Sequence, residues 1–107
     1  VGEPAVAIDG DEEVAVKFEL QDNYPNPFNP TTNIKFQIPA ATHVNLVIYD
    51  MLGNKIKTIV NEKRNTGVYD VQWNGTNDMG VMVSSGIYFY KLSTDNHVAT
   101  KKMMFIK

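Results

Sequence analysis

Two histidines, a serine pair beside a glycine, an asparagine-rich turn and a set of aromatics are the residues of this 107-residue chain whose types can do chemistry. A metal site needs several converging ligands, and neither His43 nor His97 has a carboxylate cluster or a cysteine nearby in sequence. Both read as solvent-facing turn residues. A nucleophilic serine needs a base and an orienting acid within reach, and in hydrolases a strand-to-helix elbow that presents it. Ser84-Ser85-Gly86 has neither and reads as a small-residue turn. Asn74-Gly75-Thr76-Asn77-Asp78-Met79-Gly80 offers hard oxygens at Asn74, Asn77 and Asp78, the kind calcium takes. Only one of them is charged, and the spacing fails the helix–loop–helix calcium pattern. An ordered turn is the first reading there and a calcium site the second. Trp73, Tyr69, Tyr88, Phe89 and Tyr90 can stack on sugar rings, but a chain this short needs large rings to fill its core. The run Ile87-Tyr88-Phe89-Tyr90 places aromatics on both faces of a strand, which leaves some rings outside. No phosphate loop, amphipathic helix or cofactor motif is present, so the expectation is a non-catalytic protein without a cofactor.

The elements that position these residues are short and extended. A chain of this length makes one domain and buries roughly two-thirds of its unfolded surface. The absence of cysteine excludes disulfides and thiolate metal sites. No apolar run reaches the roughly 18 residues that span a bilayer. Residues 1–23 hold seven acids against Lys17, whereas residues 24–107 hold five acids and nine bases. That asymmetry predicts an acidic linker or leading strand over residues 1–19, descending from a larger parent protein, and a domain over residues 20–107. The bases are scattered and the sequence pI is about 5.6, which argues against nucleic acid.

Helical periodicity is missing. Ile34, Phe36 and Ile38 alternate with Lys35 and Gln37, which predicts a strand over Thr32–Ile38. His43–Met51 is apolar on both faces near its centre, the mark of an interior strand. Asp50-Met51-Leu52-Gly53-Asn54 is a tight turn with an accepting carboxylate and a permissive glycine. Lys55–Val60 follows as the hairpin partner, with Ile56 and Ile59 breaking the alternation as a bulge does. Asn61–Thr66 reads as a polar loop. Gly67–Asn74, Ile87–Thr94 and Val98–Ile106 complete the set, and a weaker leading strand covers Val14–Leu20. The expectation is an all-β protein: an antiparallel, immunoglobulin-like β-sandwich of about seven strands.

The segment before the first firm strand is Asn23-Tyr24-Pro25-Asn26-Pro27-Phe28-Asn29-Pro30-Thr31-Thr32. Each proline fixes its own φ and drives the residue before it out of the helical basin, so this proline string is a stiff lead into the sandwich. Tyr24 and Phe28 are expected to be aromatic plugs that pin it there. Three later blocks accompany it in order: Val47-Ile48-Tyr49-Asp50-Met51-Leu52-Gly53, Gly86-Ile87-Tyr88-Phe89-Tyr90-Lys91-Leu92, and Thr100-Lys101-Lys102-Met103-Met104-Phe105-Ile106-Lys107. Together they closely resemble the C-terminal sorting domain, type A, of proteins exported by the type IX (Por) secretion system of Bacteroidota. The stretch Gly67–Gly75 also resembles the immunoglobulin-like domain of flagellar hook-capping proteins, a relative without the proline string or the lysine-rich end.

The sorting-domain resemblance implies a signal covalently joined to a larger secreted cargo. Such a cargo reaches the periplasm by its own signal peptide and passes an outer-membrane translocon. A cell-surface sortase then cuts near the start of the signal and anchors the cargo at the cell surface. On that resemblance the residues offered to translocon and sortase are Tyr24, Pro25, Asn26, Pro27, Phe28, Gly86, Tyr88, Lys101, Lys102 and Lys107. Lysines on a last strand also protect a sheet edge from uncontrolled pairing. Two other functions fit the composition: a carbohydrate-binding module of a polysaccharide hydrolase, and a structural spacer of a surface adhesin.

Overall fold

A computed structural model describes residues 17–107. Seven strands run in chain order: β1 (Glu19–Leu20), β2 (Thr32–Ile38), β3 (Thr42–Asp50), β4 (Lys55–Arg64), β5 (Gly67–Trp73), β6 (Gly86–Ser93) and β7 (Val98–Phe105). They form two antiparallel sheets, β1-β2-β5 and β4-β3-β6-β7. The alternating residues face each other across the sandwich. Ile34, Phe36 and Ile38 of β2 join Val44, Leu46 and Ile48 of β3, Tyr88, Tyr90 and Leu92 of β6 and Met103 and Phe105 of β7 in one buried cluster.

The predicted bulge lies where the alternation breaks. Leu46 pairs with Val60 and Val47 with Thr58, so Ile59 is the extra residue; Ile48 pairs with Lys57 and Tyr49 with Lys55, so Ile56 is a second. Both isoleucines thereby turn toward the core. The expected polar loop at Asn61–Thr66 is mostly strand, because β4 continues to Arg64 against Thr42–Asn45. Its outward residues are polar and carry no alternation signal, yet the neighbouring strand satisfies their backbone. Only Asn65 and Thr66 remain to turn the chain; Tyr69 donates its hydroxyl to the Asn65 carbonyl at 2.7 Å and Thr66 donates to that of Ile38 at 2.9 Å. Of the expected leading strand, Glu19–Leu20 pair with Phe36–Gln37, and residues 14–16 lie outside the described residues, as does most of the 1–19 linker.

Strand direction sorts the loops into two ends. At the end where the chain arrives, Phe18 stacks on His97 at 4.7 Å between ring centres, beside the β2–β3 and β6–β7 connections. At the other end, termed distal below, lie the proline string, the β3–β4 turn, the long β5–β6 loop and the last residues Ile106 and Lys107.

Candidate functional site

The proline string and the last strand form one structure at the distal end. β7 is an edge strand of the four-stranded sheet. Phe28 donates its N–H to the Met104 carbonyl and accepts from the Ile106 N–H, each at 3.0 Å. Just before it, the Asn26 side-chain oxygen accepts from the Met104 N–H at 2.9 Å. A backbone and a side chain thus cover the final third of the β7 edge. Pro25, Pro27 and Pro30 have no N–H to offer a further strand, so the cover also terminates the sheet. All three bonds preceding these prolines are cis.

The two string aromatics behave differently. Phe28 is 2% exposed, stacked on Phe105 at 5.0 Å and tilted against Trp73 at 5.6 Å. Tyr24 is 79% exposed, which corrects the expectation that it plugs the sandwich. Its backbone is bonded both ways to Asn33, and in an antiparallel ladder that pairing directs its ring to the outer side. A buried polar pair sets the base of the string: Asn23 donates its amide to Thr32 Oγ1 at 3.0 Å and to the Pro25 carbonyl at 3.2 Å, and Thr32 donates to the same carbonyl at 2.9 Å.

Two distal turns hold apolar residues out into solvent by the same device. Asp50 Oδ1 accepts from the N–H groups of Leu52 and Asn54, both at 2.9 Å, and Gly53 takes φ +86°. These bonds, led by the one from Asn54, hold the Asp50 carboxyl below its ordinary range. Leu52 at 86% and Met51 at 67% are left facing water. In the β5–β6 loop Asn77 Oδ1 accepts from Met79 at 2.9 Å and from Val81 at 3.0 Å, leaving Met79, Val81 and Met82 exposed. Asp78 ties that loop to the β4 edge, donating its N–H to the Ile56 carbonyl at 3.0 Å and accepting from Thr58 at 3.1 Å. The two turns therefore share one end of the molecule with exposed Ile106. Sequence reading missed this surface. Its signal was apolar residues set inside turns rather than strands.

Gly86 and Tyr88 pair with Phe105 and Met103. Tyr88 is buried and donates its hydroxyl to the Ser84 carbonyl at 2.6 Å, so it and Phe28 shape the distal end from beneath. Lys107 donates its N–H to Ser85 Oγ at 2.8 Å, which gives that serine a structural task. Lys101 and Lys102 point to opposite faces of β7; the former pairs with Asp22 at 3.1 Å, the latter faces solvent. Asn74 Oδ1 accepts from the Thr76 hydroxyl at 2.6 Å, so of the three candidate calcium ligands Asn74 and Asn77 accept within the loop and Asp78 accepts from β4. Trp73, Tyr88 and Tyr90 are core residues, and Tyr69 packs on Phe36 under the Arg64 guanidinium. The sugar platform drawn from those rings does not exist on the surface; of that set Phe89 alone lies on an outward strand face. His43 bonds Asn61 at 2.6 Å. Among the described residues no group of three or more His, Cys, Asp or Glu side chains converges as metal ligands would.

The family model of the FlgD Ig-like domain matches residues 21–97. The chain belongs to the FlgD Ig-like domain family. The match takes in the proline string and β2 to β6 and stops short of β7. No curated protein sequence matches this chain. Among solved structures it is similar to dimeric latent PorU from Porphyromonas gingivalis, at TM-score 0.67 and 20% identity, over 92% of this chain and 10% of that one. It is similar also to PorZ of the same organism, described as an essential surface component of the type IX secretion system. That match has TM-score 0.56 and 20% identity over 84% of this chain and 11% of PorZ. FlgD of P. aeruginosa matches at TM-score 0.55 and 15% identity, over 86% of this chain and 74% of that one. At these identities the likeness is one of fold, and the chain spans about a tenth of the PorU and PorZ chains.

Proposed function

We propose that this domain is a non-catalytic C-terminal sorting signal, carried by a larger secreted protein through the type IX outer-membrane translocon and to cell-surface anchoring by a sortase. The observation that carries this reading is the joining of the proline string to the last strand. The blocks that resemble the sorting domain lie far apart in sequence, yet Asn26 and Phe28 bond directly to Met104 and Ile106. They build one composite surface at the end opposite to the one where the chain arrives. A receptor can engage that surface while cargo trails from the other end. Exposed Met51, Leu52, Met79, Val81 and Ile106 extend it with apolar area of the kind that marks protein interaction sites. The similarity to PorU and PorZ, and the description of PorZ as a type IX component, support the same assignment.

The test is a secreted reporter fused to residues 1–107 in a type IX-competent bacterium. Export is expected to fail on removal of residues 101–107, and to fall on Leu52→Asp with Met79→Asp, which leaves the core untouched. Unchanged export of both variants would sink the proposal. Export retained after deletion of the whole domain would favour a spacer.

A further inference from the structure

The outer face of the four-stranded sheet carries a second surface, which meets the distal end only at the β3–β4 turn. Pairing register places its outward side chains in rows across the strands. One row reads Lys55, Tyr49, Phe89, Lys102: two half-buried rings side by side with a lysine on each flank. The next reads Thr58, Val47, Lys91, Thr100, and the third Asn61, Asn45, Ser93, Val98. Lys91 Nζ lies 5.8 Å from the centre of the Tyr49 ring. Tyr49, Phe89, Lys91 and Thr100 line a shallow trough of about 400 Å³, with Asp50, Met51 and Gly53 at its end. The Asp50 oxygens are held by the neighbouring turn. Among the described residues, β3, β4, β6 and β7 direct no other carboxylate to this face.

We infer that this face binds an acidic polysaccharide, a chain of pyranose rings bearing carboxylates. Two rings on paired strand positions, Tyr49 and Phe89, offer the stacking that a sugar face takes. The lysines supply charge-assisted hydrogen bonds to carboxylates, spread over about 14 Å from Lys55 to Lys102 at ordinary strand spacing. The row of asparagine and serine beside them meets hydroxyls. A peptide strand would seek an open sheet edge rather than this closed face. A nucleic acid carries a denser charge than these scattered lysines match.

The experiment is retention of the 107-residue protein on immobilised polygalacturonate at low ionic strength, with dextran, poly-L-glutamate and an oligothymidylate as parallel probes. Binding to polygalacturonate alone is expected, weakening as salt screens the lysines. Phe89→Ala and Lys91→Glu should each weaken it about tenfold, with melting temperatures within a few degrees of the parent. Neither residue belongs to the distal surface, so export and glycan binding fail separately. No retention on polygalacturonate overturns the inference. So does retention unchanged in Phe89→Ala, or equal retention on poly-L-glutamate or oligothymidylate, since charge alone would then explain it.

Discussion

Replacing Phe28 with alanine measures how firmly the proline string belongs to the sandwich. The ring is 2% exposed and packs between Phe105 and Trp73. Truncating a buried phenylalanine to alanine costs about 3–5 kcal/mol, transfer and cavity together. The backbone bonds of residue 28 to Met104 and Ile106 survive the substitution, so the loss is that of the ring. A domain of this size has on the order of 5–10 kcal/mol of stability, so the variant forfeits about half of it. The melting temperature should then fall by roughly 15–30 °C. Urea unfolding followed by Trp73 fluorescence is the assay, with Tyr24→Ala as the matched control. Tyr24 lies in the same string but faces solvent, and its loss should cost no more than about 0.5 kcal/mol. A Phe28→Ala cost below about 1 kcal/mol, or an equal cost for Tyr24→Ala, would refute the assignment of the string to the core.

A Cβ on Gly75 would lie 2.8 Å from Phe105 Cζ at φ +77°, so Gly75→Ala should cost about 2–4 kcal/mol. Gly80→Ala, at φ +81° in open space, should cost about 1–2 kcal/mol, and the difference between their urea midpoints isolates the clash. Burial, with the nearby Asp22 carboxylate assisting, pushes the Tyr90 hydroxyl up to about 12. Its stabilising effect is whole below pH 10 and is lost as pH rises toward 12; the absorbance change near pH 12 should be missing from Tyr90→Phe. The Asp50 carboxyl is depressed instead, so its turn is stabilised above the ordinary carboxylate range and loosens as pH falls through the lowered value. Carboxyl NMR titration should place the Asp50 midpoint below the ordinary carboxylate range. Trypsin under native conditions should cut after exposed Lys17 and leave the remainder intact, because Phe18 is stacked and Glu19–Leu20 are in β1; mass spectrometry of the surviving core reads the result.

Strand identity was legible because alternation is local. Ile34, Phe36 and Ile38 announce β2 unaided, and Ile56 and Ile59 announce their bulges because each breaks a period of two. The extension of β4 through Asn61–Arg64 was not legible, since polar outward residues look alike in a strand and in a loop. The split between Tyr24 and Phe28 was hidden for a related reason. Both are aromatics beside prolines, and only the position of β7 decides which ring finds a pocket.

The sequence by itself determined the fold class, most strand bounds, the turn chemistry at Asp50 and Asn77, and the stiffness of the proline string. These follow from backbone preferences and from periodicity, which act within a few residues. Tertiary structure alone decided that the string covers the β7 edge, through bonds such as that between Asn26 and Met104 across 78 positions. It alone gathered Met51, Leu52, Met79 and Ile106 at one end and set Tyr49 beside Phe89. Alternation tells which face a residue takes but not which strand lies next to it. Strand order is fixed by the core as a whole, where buried contacts among distant segments repay the entropy of closing the loops between them.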